Sequence, residues 1–325
     1  MPIDISIIIV SREKRELLSR SLDSLINQSY SNKNFEIIVV DDGSEKEDLY
    51  SIVLKKKKFF PNLKYVKQDP IGLSAGRNLG VKNASAKIVA FTDNDVIVSR
   101  TWVKEITSVF VSGVIGVEGR IITDYPRELF TNAPENIKGG LYIGANSAYL
   151  KKIVEEAGGY NEKMGFWRED TDFAFRAMKF GKIVFAEKAE IYHPLRKDSP
   201  LLIFRYLSFL RNEWLMFIKY PLKFQFFMPT ILNDLFRSFF AFVAIFFAIY
   251  SFLISEYIFF SEIFFIFYFF IVLYPFLFKK LNVNTGVFGI FNMFLFLVLT
   301  FVKDAVYYFF LIYGFFDALV FMVKK

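Results

Sequence analysis

An α/β domain with a mostly parallel sheet flanked by helices, followed by C-terminal transmembrane helices, is the fold that this sequence predicts. Three observations predict it. Through residues 1–200, short β-branched apolar runs alternate with stretches of helical periodicity, the pattern of repeated β-α units. Two of those runs end in acidic clusters, Asp41-Asp42-Gly43-Ser44 and Asp93-Asn94-Asp95. From Leu201 the composition shifts to Phe, Ile, Leu and Tyr, and 43 Phe in 325 residues exceeds what a soluble domain carries.

Taken in order, Ile5 to Val10 is apolar and β-branched, hence a buried strand. Leu17, Leu18, Leu22, Leu25 and Ile26 then recur at helical spacing. Phe35 to Val40 reads as the second strand, Glu45 to Leu54 as a helix, and Leu63 to Val66 as the third strand. Ser74 to Ser85 is predicted helical, Lys87 to Thr92 is the fourth strand, and Lys182 to Ala186 is a later one. In open α/β sheets ligands bind at the carboxyl ends of the strands, where both acidic clusters fall.

The second half divides at its charges. Ser238 to Ser255, Ile263 to Phe278 and Leu281 to Val302 are uncharged runs bounded by Arg237, Glu256, Glu262, the Lys279-Lys280 pair and Lys303. Each approaches the ~20 apolar residues that cross a bilayer core. Ala305 to Val323, interrupted by Asp317, is either a fourth span or a helix lying in the interface. The pairs Lys279-Lys280 and Lys324-Lys325 place those ends in the cytosol by the positive-inside rule, with Lys303-Asp304 in an outer turn. Arg196 to Lys223 mixes six basic and two acidic residues with Leu201, Leu202, Phe204, Trp214 and Phe217, and is read as an amphipathic helix on the inner leaflet. The expected organisation is therefore a catalytic domain over 1–200, juxtamembrane helices over 201–234, and three to four transmembrane helices over 235–325. The expected location is the cell membrane, with the first domain on the cytoplasmic side.

Composition also excludes. No cysteine means no disulfide framework and no Cys-based zinc site. The net charge of +7 is not organised as a stripe for nucleic acid, and anionic membrane lipid is the simpler partner. Pro2 to Val10 contains Asp4 and lacks the basic start of a secretory signal. The first strand leads into Ser11-Arg12-Glu13 rather than a G-x-G-x-x-G turn, and no G-x-x-x-x-G-K-[ST] occurs, which disfavours dinucleotide dehydrogenases and P-loop NTPases.

The chemistry-bearing residues remain. Asp93 and Asp95, one residue apart at a strand end, suit a hard divalent cation whose shell is completed by substrate phosphates. Asp41 and Asp42 offer an acceptor to the imide of uracil or an N–H of guanine, while Asp-Gly-Ser equally suits an Asx turn or a helix cap. Arg77, in Gly72 to Asn78 at a helix start, offers a fork of donors to a phosphate, or is a surface residue of the first turn. Asp170 in Trp167-Arg168-Glu169-Asp170 fits a general base for an acceptor hydroxyl, although acids there also complement the helix dipole. His193, the sole histidine, is either structural or a return to the site as metal ligand or diphosphate contact.

This order of motifs resembles the family 2 glycosyltransferases with a GT-A fold, the nucleotide-diphospho-sugar transferase fold. The matching residues are Ser6 to Val10, Val40 to Ser44, Gly72 to Asn78, Asp93 to Asp95 and Glu169-Asp170. Gly144-Ala145-Asn146-Ser147 before a helix and Gly158 to Glu162 resemble the acceptor side. The likeness covers roughly residues 3–195. It implies inverting transfer of a sugar from a UDP- or GDP-sugar with Mg²⁺ or Mn²⁺. It makes Asp95 the metal ligand, assisted by Asp93 and His193, and Asp170 the catalytic base beside Glu169. Ser11, Asp41, Asp42, Arg77, Asn78, Asp93 and Asn94 become the nucleotide-sugar contacts. Leu210-Arg211-Asn212-Glu213-Trp214 does not match the Q-x-x-R-W segment of processive synthases, so a single addition to a lipid-linked acceptor is expected. The alternatives are a polyprenyl-phosphate sugar synthase, a nucleotidyltransferase and a non-catalytic membrane scaffold.

Overall fold

The computed structural model describes residues 3–125, 127 and 130–224, scattered positions between 238 and 268, and residues 287–323. Two compact units divide the chain: Met1–Asp124 with Ala133–Pro194, and Tyr125–Asn132 with Leu195–Lys325.

The first unit is built on one sheet. Its strands are β1 (Ile5–Ser11), β2 (Phe35–Asp42), β3 (Leu63–Gln68), β4 (Ile88–Asp93), β5 (Ile97–Val98), β6 (Val114–Ile122), β8 (Asn146–Leu150) and β9 (Lys182–Tyr192). The helices are α1 (Arg15–Ile26), α2 (Leu49–Lys57), α3 (Leu73–Asn83), α4 (Trp102–Val109), α5 (Lys151–Glu156) and α6 (Glu169–Ala177). The strand order is β3-β2-β1-β4-β8-β6-β9-β5. The first four run parallel. β8 is antiparallel to both β4 and β6, and β5 is antiparallel to β9. The expected mostly parallel sheet is thus a mixed one. The alternation of the first 93 residues exposed its parallel half, whereas the second half is built from strands far apart in sequence.

Burial follows the sequence pattern. β2 is buried at every position, as a strand covered on both faces must be. Leu18, Leu22 and Leu25 of α1 are fully buried on one stripe, each worth roughly 1.5–3 kcal/mol. α3 approaches β1 through glycines: a Cβ at Gly76 would stand 2.6 Å from Val10 Cγ1, and one at Gly80 would stand 2.3 Å from Ile8 Cγ2. That close approach buries Arg77, which lies between them on α3.

One element bound is corrected here. The helix placed over Glu45 to Leu54 begins at Leu49, where the Asp48 carboxylate accepts from Ser51 N at 3.0 Å and caps it. Gly144 to Ser147 runs into strand β8, and the helix expected after that segment is α5.

The second unit contains a two-stranded ribbon of β7 (Thr131–Asn132) and β10 (Arg196–Lys197). It continues through a 3-10 turn over Pro200–Phe204 into the short helices α7 (Arg205–Ser208), α8 (Leu210–Lys219) and α9 (Pro221–Phe224). The stretch read as amphipathic helix is interrupted at Phe209 and Tyr220, and residues 225–234 lie outside the described ones. α10 spans Val287–Val323. Trp214 of α8 donates from Nε1 to the Leu311 carbonyl of α10 at 2.9 Å. Most of Ser238 to Ser255 and Ile263 to Phe278, and the start of Leu281 to Val302, lie outside the described residues. The turn expected at Lys303-Asp304 is helix instead. Both residues are buried, Lys303 Nζ stands 2.9 Å from Asp304 Oδ1, and Tyr268 donates to Asp304 Oδ2 at 3.1 Å. The two charges satisfy each other within the helix, so they need not end it. Among the described residues no single helix is long and apolar enough to cross a membrane, but Val298–Asp304 and Phe309–Val323, bent by 50°, pass together.

Candidate active site

The parallel register brings the carboxyl ends of β1, β2 and β4 together, pairing Val10 with both Val40 and Asp93. Three segments therefore converge: Ser11 to Lys14 at the end of β1, Asp41 to Ser44 at the end of β2, and Asp93 to Asp95 at the end of β4. Asn94 Nδ2 donates to Ser11 Oγ at 2.7 Å and ties the first to the third.

Asp95 and His193 are buried, and Asp93 is half-buried. One ligand atom from each of the three lies within 4.8 Å of the others. His193 Nε2 is 3.5 Å from Asp95 Oδ1 and 3.9 Å from Asp93 Oδ2. His193 follows β9, and its backbone N–H donates to Ile122 O at 2.8 Å, fixing the segment. Its Nδ1 lies 3.1 Å from Pro194 O. A carbonyl can only accept, so a neutral ring making this contact carries its proton on Nδ1 and turns Nε2, as a metal-ligating nitrogen, toward the two carboxylates. That is the tautomer and outer-sphere contact of a metal-binding histidine. The donor set of two carboxylates and one imidazole fits Mn²⁺ or Mg²⁺, the carboxylates suiting either ion and the imidazole favouring the former.

The second set of residues lies at the start of α6. Arg77 Nη1 donates to Glu169 Oε1 at 3.0 Å, both side chains being 5% exposed, and the guanidinium stacks over Tyr160 at 5.1 Å. Burial works against the charge of Arg77, but Tyr160, Glu169, Asp170 and Asp93 hold its pKa above the ordinary value. Burial, with Asp170 adding to it, pushes the Glu169 carboxyl up to about 7 against the pull of Arg77. Asp170 is less deeply buried; its Oδ2 accepts from Gly144 N at 2.8 Å and its Oδ1 from Thr171 N at 2.7 Å. Gly144 comes just before β8, whose Asn146 pairs with Thr92 of β4. The Gly144–Asp170 bond thus fixes the carboxylate close to the end of β4 that carries Asp93 and Asp95.

Several predicted contacts are placed otherwise. Arg77 is neither a surface residue nor an open phosphate fork, because the glycine-mediated docking of α3 buries it as the partner of Glu169. Asn78 is engaged within the protein: its Nδ2 donates to Tyr160 O and Glu162 Oε1, and its Oδ1 accepts from Tyr160 N. Asp41 is buried and internally satisfied, accepting from Ser44 N at 2.8 Å and Tyr65 OH at 2.5 Å, which is the Asx-turn role. Asp42, by contrast, lies at the carboxyl edge where it was expected, with Oδ1 accepting from Gln68 Nε2, Ile71 N and Gly72 N. Sequence reasoning missed Gly144 as the donor that orients Asp170. The signal for it was its place as first residue of the Gly144-Ala145-Asn146-Ser147 segment on the acceptor side.

The sheet thus carries at its carboxyl edge a triplet that could hold a divalent cation, with an oriented carboxylate next to it. Residues 6–161 match the model of "Glycosyl transferase family 2", and the domain they build belongs to that family. Among curated relatives, the hyaluronan synthase of Pasteurella multocida is 25% identical over 227 residues, which cover 55% of this chain and 23% of that protein. The chain thus spans under a quarter of that relative's length. Among solved structures, the mannosyltransferase PcManGT of Pyrobaculum calidifontis, in complex with GDP-Man and Mn²⁺, is similar in fold at a TM-score of 0.55 and 16% identity, covering 67% of this chain and 65% of that one. S. aureus TarS 1-349, in complex with UDP-GlcNAc, is similar at a TM-score of 0.52 and 20% identity, covering 66% and 67%.

Proposed function

We propose that this chain is an inverting glycosyltransferase that moves a single sugar from a nucleotide-diphosphate sugar to a hydroxyl of a lipid-linked acceptor at the inner face of a membrane. The observation that carries the reading is the Asp93–Asp95–His193 triplet beside an Asp170 oriented by Gly144. In this reading Asp95, Asp93 and His193 hold Mg²⁺ or Mn²⁺, which when bound neutralises charge on the diphosphate leaving group. Asp42, Ser11 and Asn94 line the nucleotide side. Asp170 takes the acceptor hydroxyl proton at its carboxylate as the oxygen attacks the anomeric carbon, and the bond to the diphosphate breaks on the opposite face. Glu169 and Arg77 position Asp170 rather than touching the sugar.

Both UDP- and GDP-sugars are donor candidates, since similar folds are known with each. A hydroxyl acceptor is favoured over polyprenyl phosphate because a phosphate is already a nucleophile and scarcely needs a base such as Asp170. Single addition rests on the absence of a Q-x-x-R-W segment, and membrane attachment on the uncharged runs after Arg237. The test is a donor screen. The full chain in detergent is incubated with UDP-, GDP- and TDP-sugars, Mn²⁺ or Mg²⁺, and membrane lipid extract, and free nucleoside diphosphate is detected. Release from one donor, abolished by EDTA, is expected. Silence across the panel favours a non-catalytic scaffold, and release of pyrophosphate instead identifies a nucleotidyltransferase.

A further inference from the structure

Between β1 and α1 two consecutive non-glycine residues adopt left-handed backbone conformations, Glu13 at φ 56° and Lys14 at φ 62°. Each such residue costs of order 1–3 kcal/mol and persists only where its surroundings over-determine it. Here they do. The Glu13 carboxylate accepts from three successive backbone amides, Glu45 N at 2.9 Å, Lys46 N at 3.0 Å and Glu47 N at 2.8 Å, an anion-binding nest. Those bonds hold its pKa below the ordinary value. Glu13 N donates to Ser44 Oγ at 2.8 Å, and Ser11 Oγ donates to Glu13 O at 3.1 Å. On the other side Lys14 O accepts from Leu18 N at 3.0 Å, at the start of α1. The backbone of Lys14 is pinned from both directions, and its side chain projects to the buried Asp95, Nζ standing 3.8 Å from Oδ2.

We propose that Lys14 is a counter-cation built into the metal site, which competes with the divalent ion for Asp95. The inference rests on the metal reading of Asp93, Asp95 and His193. A buried carboxylate is costly without a positive partner, and the strained loop supplies one when no divalent ion is bound. The Lys14 side chain is 45% exposed, so its ammonium can leave Asp95 for solvent without disturbing the clamped backbone. Metal entry then exchanges one monovalent cation for a divalent one, and Asp95 stays neutralised in both states. Substrate-free protein is thereby kept folded and weakly metallated.

The test is Mn²⁺ titration by electron paramagnetic resonance on the full chain in detergent, without nucleotide, comparing wild type with Lys14→Met and Lys14→Arg. Thermal unfolding checks that each variant is folded. Lys14→Met is expected to bind Mn²⁺ about two- to fivefold more tightly, the range that a half-exposed ion pair supplies, with Lys14→Arg unchanged. Equal or weaker binding by folded Lys14→Met overturns the proposal while leaving the metal site standing. Should Lys14→Met not fold, Lys14→Gln replaces it under the same criterion. Absence of Mn²⁺ binding in every form, or binding that survives Asp95→Asn, removes the metal reading and this inference together.

Discussion

Replacing Gly144 by alanine tests how the base is held. The φ of Gly144 lies outside the left-handed region, so the backbone tolerates alanine and the cost is steric. The added Cβ would stand 2.3 Å from Arg77 Nη2 and 2.7 Å from its Cζ. A flexible arginine would swing aside, but Arg77 is buried, bonded to Glu169 and stacked on Tyr160. Relieving the clash therefore pulls the guanidinium from Glu169 or moves the strand that begins at Asn146. Breaking a buried pair costs about 3–5 kcal/mol. Shifting Gly144 also moves the amide that orients Asp170, and a displacement near 1 Å costs about a hundredfold in rate. Thermal unfolding followed by tryptophan fluorescence and nucleoside diphosphate release read the two effects. Gly113→Ala is the control, with φ 84° and nothing within 4 Å of the added Cβ. It should lose about 1–2 kcal/mol from backbone strain and keep its turnover number. A Gly144→Ala protein with wild-type stability and turnover would refute the tight Arg77–Gly144–Asp170 arrangement.

Asp170→Asn keeps an acceptor for Gly144 N but sets an NH₂ against Thr171 N and has no basic carboxylate, so transfer should fall by about 10²–10⁴ while stability falls by only about 1–3 kcal/mol; an active variant takes Asp170 out of the base role. His193→Ala should lose Mn²⁺ binding and EDTA-sensitive activity together, measured by titration and donor turnover, and retained binding would make His193 structural. Glu169 carries a pH signature. Its folded carboxyl, pushed up to about 7, stays protonated where the unfolded one, near 4.5, has ionised, so its contribution to stability is present below pH 4.5 and lost as the pH rises through 7. Glu169→Gln should flatten the fall in melting temperature across that window, and an unchanged slope would show that Glu169 is ionised throughout.

The sequence by itself determined what local chemistry dictates. β-branched runs, leucine spacing and terminal acids located β1 to β4, α1 and α3, and placed Asp93 and Asp95 at a strand end, because burial and backbone geometry act over a few residues. It also marked Asp170 at a helix start, and His193 after a strand. Only the tertiary structure decided what these residues meet. The antiparallel insertion of β8 between β4 and β6 pairs β8 with β4 residues more than fifty positions away, and sequence periodicity does not encode such a partner. Arg77 read as a phosphate fork because its isolated chemistry suits that role. It became the counterion of Glu169, 92 residues away, because Gly76 and Gly80 let α3 sink onto β1. Asn78 and Asp41 likewise spend their polar atoms on backbone and tyrosine partners that the fold supplies. A side chain's hydrogen-bonding capacity is legible in one dimension; whether it remains available to a ligand depends on which long-range neighbours reach it first.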